Sequence, residues 1–207
     1  MPGPSLTRYD APGRAEAMVL VLHGGKARSS DPVSRRSLTW RRALGLARTL
    51  GRPLHEQGVG LWVLRYRTAG WNGDGTGKVE DARWALDRIR AEIGDVPVVL
   101  LGHSMGGRTA CRAAGHDLVR GVVALAPWLP PGEPVTALAG RRLHAAHGRR
   151  DRITRAEDTR AYVERAREVA LAASYTDMGE RGHYLLRGVH ARNSFCVDAT
   201  RRVLVES

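Results

Sequence analysis

The sequence predicts an α/β architecture, a mostly parallel central sheet of about six strands with helices on both faces. Three observations predict it. Strand-like and helix-like patterns alternate along the 207 residues at spacings suited to right-handed crossovers. Two strand-like runs, Ala17 to Leu22 and Val98 to Leu101, are apolar at every position, as central parallel strands buried on both faces are. The second run leads directly into Gly102-His-Ser-Met-Gly106, a G-x-S-x-G turn, and then into a small-residue helical pattern from Met105 to Ala114.

Residues 2 to 16 are polar and rich in Pro and Gly, so they form at most a short edge strand. The strand Ala17 to Leu22 ends in His23-Gly-Gly-Lys26. After a loop marked by Asp31-Pro32, Leu38, Leu44, Ala47 and Leu50 give a helical spacing that Gly51 and Pro53 should close. Val59 to Tyr66 reads as a strand, and Arg67 to Gly77 as a glycine-rich loop. Val79, Ala82, Leu86, Ile89 and Ile93 recur at three- and four-residue steps, an amphipathic helix ended by Gly94. Beyond the G-x-S-x-G helix, Gly121 to Ala126 and Arg142 to His147 are further strands. Thr154-Arg-Ala-Glu157 has the form of a capping box opening a helix. Leu171 to Met178 and Val197 to Val205 are the last strand and helix. No linker or repeat interrupts the series, so residues 1–207 are expected to form one domain.

The formal net charge of +12 raises the question of nucleic acid or an anionic surface. Of 33 basic residues only Lys26 and Lys78 are lysines, and the arginines are scattered over almost every helical segment without interleaved aromatics. That distribution argues against a nucleic-acid partner. Cys111 and Cys196 lie far apart with no C-x-x-C spacing, no stretch reaches membrane-spanning length, and the first residues lack a basic start followed by an apolar run. A cytoplasmic protein without a membrane span is expected. Gly73 to Lys78 misses the phosphate-loop spacing, which would need glycine at Asn72 and Ser or Thr at Val79. No metal-ligand spacing stands out, so cofactor-free chemistry is expected.

Ser104 is the residue to explain. A serine hydroxyl is a weak nucleophile at neutral pH and needs a histidine base, itself held by an acid. On the segments after the serine strand, His147-Gly-Arg-Arg-Asp151 puts Asp151 on a turn, and Gly179-Glu-Arg-Gly-His183 puts His183 on a glycine-flanked loop. The order serine, acid, histidine results. His103, His147 and His190 are rival histidines, and Asp177 and Glu180 rival acids. Attack on a carbonyl also requires N–H donors for the developing oxyanion. Met105, at the helix start, offers one, and Gly25, with Lys26 second, offers the other.

Together these segments resemble the α/β-hydrolase superfamily over about residues 17 to 205: the strand into His-Gly-Gly, the Gly-His-Ser-Met-Gly-Gly elbow, the His-Gly-x-x-Asp segment and the Gly-His segment. The resemblance implies Ser104 as nucleophile, Asp151 as acid, His183 as base, and Gly25 and Met105 as oxyanion donors. It implies cleavage of a small-molecule carboxylic ester or thioester through an acyl-enzyme. The alternatives are acyl transfer by the same residues and a non-catalytic binding module. Superfamily members commonly begin with two more strands and insert a helical lid. Here residues 1 to 16 leave room for one strand, and Pro127, Pro130, Pro131 and Pro134 oppose a helix where a lid would lie. A lidless form is expected, similar to short esterases and dienelactone-hydrolase-like members, although the latter often carry cysteine in place of Ser104. Without a lid, loops are expected to wall the substrate pocket, with Trp128 and Leu129 on one side and Ala69 to Trp71 on another; core packing of Trp128 under the proline loop is the equal alternative.

Overall fold

The computed structural model of the chain describes residues 3–185 and 188–205. Seven strands form one sheet: β1 (Ser5–Tyr9), β2 (Ala17–Leu22), β3 (Val59–Arg65), β4 (Val98–His103), β5 (Val119–Leu125), β6 (Arg142–His147) and β7 (Ala172–Asp177). Their spatial order is β1-β3-β2-β4-β5-β6-β7. All neighbours are parallel except β1, which closes the edge antiparallel to β3. The N-terminal polar stretch therefore supplies the short edge strand that its composition allowed.

Five helices cover the sheet: α1 (Leu38–His55), α2 (Thr76–Glu92), α3 (Met105–Ala113), α4 (Ala156–Ala166) and α5 (Val189–Val205). Side chains alternate across a strand. Val19, Val21, Val99 and Leu101 accordingly bury themselves under α1 and α5, while Leu20, Leu22, Val98 and Leu100 pack under α2, α3 and α4. The chain winds outward from β2 to β3, then crosses back over β2 to β4. The carboxyl ends of β2 and β4 thus flank the point where the winding reverses, which is where open α/β sheets form their ligand crevice.

Several boundaries differ from the sequence reading, each for a packing reason. α1 runs through Gly51 and Pro53 to His55. Leu50 and Leu54, one turn apart, are both fully buried, and His55 Nε2 donates to the Tyr9 carbonyl at 3.1 Å, so tertiary contacts hold the last turn despite the proline. α4 starts at Ala156 with Arg155 as an N-cap that makes no side-chain cap, because the Thr154 hydroxyl is engaged elsewhere. α5 starts at Val189, earlier than Val197.

The stretch from Pro127 to Arg141 holds only a single 3₁₀ turn, Thr136–Leu138. It is pinned to α3 and α4. The buried Glu133 carboxylate pairs with Arg108 at 2.6 Å and with Arg112, Arg165 donates to the Glu133 carbonyl at 2.9 Å, and the Tyr162 hydroxyl donates to the Pro134 carbonyl at 3.0 Å. No lid rises over the sheet here. Among the described residues, no helix is long and apolar enough to cross a membrane.

Candidate active site

Ser104 links β4 to α3 with φ 56° and ψ −121°, a conformation that a residue bearing a Cβ rarely adopts. Such backbone costs on the order of 1–3 kcal/mol and persists only where its surroundings enforce it. Here they do. Ser104 N–H donates to Leu125 O at 3.0 Å, and its carbonyl accepts from the N–H groups of Gly107 at 3.0 Å, Arg108 at 3.3 Å and Trp128 at 3.1 Å. The turn is possible because Gly102 and Gly106 lack side chains: a Cβ on Gly102 would strike the Gly106 backbone, and one on Gly106 would strike Leu22 O. The result lifts the serine to the carboxyl edge of the sheet, 9% exposed.

Asp151 and His183 come together because the β6–β7 ladder continues into the loops that follow it. Met178 N–H donates to His147 O at 2.8 Å, Arg149 N–H to Gly179 O at 2.8 Å and Arg150 N–H to Arg181 O at 3.1 Å. Gly148 makes this possible, since a Cβ there would meet the Arg181 carbonyl. His183 Nδ1 then lies 2.7 Å from Asp151 Oδ2. A carboxylate only accepts, so Nδ1 carries the proton and Nε2 is left free to take one. Among the described residues no hydrogen bond joins His183 to Ser104 Oγ; bonds of this kind often tighten only around substrate.

The residue before the serine bridges the two. His103 Nε2 donates to the His183 carbonyl at 2.9 Å, and the two rings pack with centroids 4.7 Å apart. Burial lowers the His103 pKa to about 4, so it stays neutral and acts as a fixed donor.

Asp151 receives several further bonds. Oδ2 also accepts from His147 Nε2 at 2.9 Å and from the Thr154 hydroxyl at 2.8 Å, while Oδ1 accepts from the N–H groups of Ile153 at 2.8 Å and Thr154 at 3.0 Å. His147 is oriented in turn by the Thr159 hydroxyl, 2.8 Å from Nδ1. By pattern alone His147 reads as a rival base and Thr154 as the start of a capping box. The i to i+4 spacing from His147 to Asp151 was the one available signal.

Burial raises the Asp151 pKa, but the bonds from His147, His183, Thr154 and Ile153 outweigh it and hold the carboxyl well below the usual carboxylate range. With a folded value below the unfolded one, the unfolded chain takes up the proton first as pH falls. The stabilisation from this ionised group is therefore complete above the unfolded value of about 4 and declines as pH drops below it. Denaturant unfolding at pH 6 and pH 3 should show wild type losing about 1 kcal/mol more than Asp151→Asn over that interval. Equal losses would mean that Asp151 has no part in the acid response.

The oxyanion candidates also meet. A Cβ on Gly25 would lie 2.6 Å from Met105 Cε and would strike Ala69 O, so the strand-end glycine sits directly against the first residue of α3. Neither the Gly25 nor the Met105 N–H has a partner among the described residues. The loop bearing Gly25 is laced to the loop after β3, with Lys26 N–H donating to Ala69 O at 2.8 Å and Trp71 N–H to Lys26 O at 2.9 Å. His23, beneath it, is buried and neutral, its pKa lowered by burial to about 4.

Trp71 and Trp128, expected to wall the substrate pocket, are engaged in another contact. Both rings pack on the Arg108 guanidinium, at 4.1 and 4.6 Å from its carbon, with that cation neutralised by Glu133. Trp71 is 3% exposed. A cavity of about 290 Å³ lies on the other side, between α1, Tyr184 and α5; Gly24 and His103, chain neighbours of Gly25 and Ser104, are in its wall. Among the described residues no cluster of three or more His, Cys, Asp or Glu side chains could hold a metal ion.

Comparison with known proteins agrees with this architecture. The family model described as alpha/beta hydrolase fold matches residues 18–171. No curated protein matches the sequence. Among solved structures, an alpha-beta serine hydrolase homologue from Coxiella burnetii superposes with a TM-score of 0.70 at 17% identity, covering 99% of this chain and 95% of its own. A serine hydrolase without a lid from Xanthomonas campestris gives 0.71 at 17% identity over 98% and 96%. Est1E from Butyrivibrio proteoclasticus, solved with ferulic acid bound, gives 0.71 at 11% identity over 99% and 96%. The match over residues 18–171 spans most of the chain, from the strand before His-Gly-Gly through the serine elbow and Asp151: the protein belongs to the α/β-hydrolase family.

Proposed function

We propose that the protein is a serine hydrolase that cleaves a small carboxylic ester or thioester through an acyl-enzyme on Ser104. The observation that carries this reading is the Asp151–His183 pair at 2.7 Å, held through His103 beside a serine in a strained, enforced turn. Resemblance to folds described as serine hydrolases adds support.

Ser104 Oγ attacks the carbonyl carbon while His183 Nε2 takes its proton, and Asp151 stabilises the resulting imidazolium. The N–H groups of Gly25 and Met105 receive the oxyanion, the second aided by the positive end of α3. His183 returns the proton to the leaving alcohol or thiol. Water, deprotonated by the same histidine, then releases the acid and restores Ser104.

Labelling the full chain with a fluorescent fluorophosphonate, locating the adduct by mass spectrometry, and following p-nitrophenyl acetate and butyrate turnover tests this. The adduct is expected on Ser104, and turnover should be lost in Ser104→Ala. An adduct on another residue, or turnover surviving in the variant, would overturn the assignment.

A further inference from the structure

The cavity walled by Gly24 and His103 has a one-sided character. Its base is apolar, with Leu22, Leu46, Leu101 and Leu125 in the wall, and its mouth carries Arg42, Tyr184 and Arg192. It adjoins the candidate chemistry: a Cβ on the wall residue Gly24 would lie 3.3 Å from Ser104 Cβ, and the wall residue His103 bonds the His183 carbonyl.

The two arginines differ from those that pack at the α2 and α3 side of the sheet. Arg67, Arg108 and Arg112 each face a buried carboxylate, from Asp81 or Glu133. Arg42 instead lies 3.9 Å over the Tyr184 ring, and the Arg192 guanidinium donates to the Asn193 side-chain oxygen at 2.9 and 3.1 Å. Among the described residues neither is paired with an acid, and no acid lines the cavity. Arg192 is half-buried, and that burial pulls its pKa below the ordinary arginine value. The two wall histidines, His23 and His103, are neutral, and no carboxylate lines the cavity to offset the cations. A partly desolvated guanidinium such as that of Arg192 is costly without a counter-ion, and an anion at the mouth would remove that cost, with the exposed Arg42 adding a second donor.

Building on the serine-hydrolase reading, we propose that this cavity selects an amphipathic ester, its short apolar body in the base and a carboxylate at the mouth bound by Arg42 and Arg192. A volume of about 290 Å³ suits a small acid of this kind, being at the low end for small-molecule sites.

Calorimetric titration of the full chain with glutarate and with uncharged glutaramide tests binding without requiring turnover. Glutarate should bind at least about tenfold more tightly, and Arg192→Gln and Arg42→Gln should each weaken it about tenfold, with thermal melts confirming that the variants fold. The ratio of kcat/KM for monoethyl glutarate over ethyl pentanoate should fall in parallel. Glutarate binding no tighter than glutaramide, or equal binding in the variants, would overturn the proposal. If that happened while the fluorophosphonate still labelled Ser104, the carboxylate site would fail and the serine chemistry would stand. Selective glutarate binding without a Ser104 adduct would support the site and overturn the serine chemistry.

Discussion

Replacing His183 with alanine should lower kcat on short esters by about 10⁴-fold or more, and adding Ser104→Ala to the same chain should cost almost nothing further. In the proposed mechanism nucleophile and base act as one unit: without a base the serine keeps its proton through the attack, and without the serine the base has nothing to deprotonate. KM should change little, because neither group binds the substrate ground state strongly. Asp151→Asn should lie close to the histidine variant, with a loss on the order of 10³–10⁴. An asparagine N–H facing His183 Nδ1 would favour the tautomer that carries its proton on Nε2, the atom that must accept. His147, Thr154 and two backbone amides orient the carboxylate independently of His183, so the substitution should leave the fold standing and expose the chemical effect. Steady-state kinetics on p-nitrophenyl acetate for the two single variants and the Ser104/His183 double variant give the comparison. If the double variant fell by the product of the two single losses, the residues would be acting independently and the proposed roles would be wrong.

How much of this was legible in the sequence depends on the range of the forces involved. The strands and their order of appearance follow from local apolar patterning, and β2 and β6 match their expected bounds because no tertiary contact competes there. α1 outran its Gly51 and Pro53 stop signals because burial of Leu50 and Leu54 outweighs a local helix preference, a balance set by packing on the sheet and by the bond from His55 to Tyr9, 46 residues earlier. The serine turn was legible because its strain demands small residues at fixed offsets. The cavity was not. Its walls come from α1, three strand ends, the His183 loop and α5, and no short pattern links Arg42 to Arg192. The packing of the tryptophans was equally out of reach of short patterns: Glu133 and Arg108 hold the proline-rich loop on α3 and set Trp71 and Trp128 against one cation.

Gly106→Ala should lower the melting temperature by roughly 6–12 °C, the equivalent of about 3 kcal/mol in a domain of this size. Gly106 lies in the first turn of α3, and its helical backbone would accept alanine; helix preference alone favours the change by on the order of 1 kcal/mol. Packing decides the other way. The added methyl would strike Leu22 O and lie 2.5 Å from Leu22 C and 2.8 Å from His23 O. These are backbone atoms of the most buried part of the sheet, and they cannot swing aside as a side-chain tip would. Either α3 lifts from the end of β2 or the β2–β4 pairing shifts, and overpacking that moves backbone sits at or above the upper end of the usual 1–3 kcal/mol. The same displacement would carry the Met105 N–H away from the Gly25 N–H, so whatever folded protein remains should lose oxyanion stabilisation as well. Gly77→Ala is the matched control, because Gly77 lies in the first turn of α2, exposed, with nothing within 4 Å of the added carbon. It should leave the melt unchanged or raise it slightly, by up to about 1 kcal/mol. Thermal unfolding followed by circular dichroism for the three proteins distinguishes the cases. A Gly106→Ala melt within about 2 °C of wild type would show that α3 does not rest on the end of β2 as closely as described, and with it the geometry that brings Ser104, Met105 and Gly25 together.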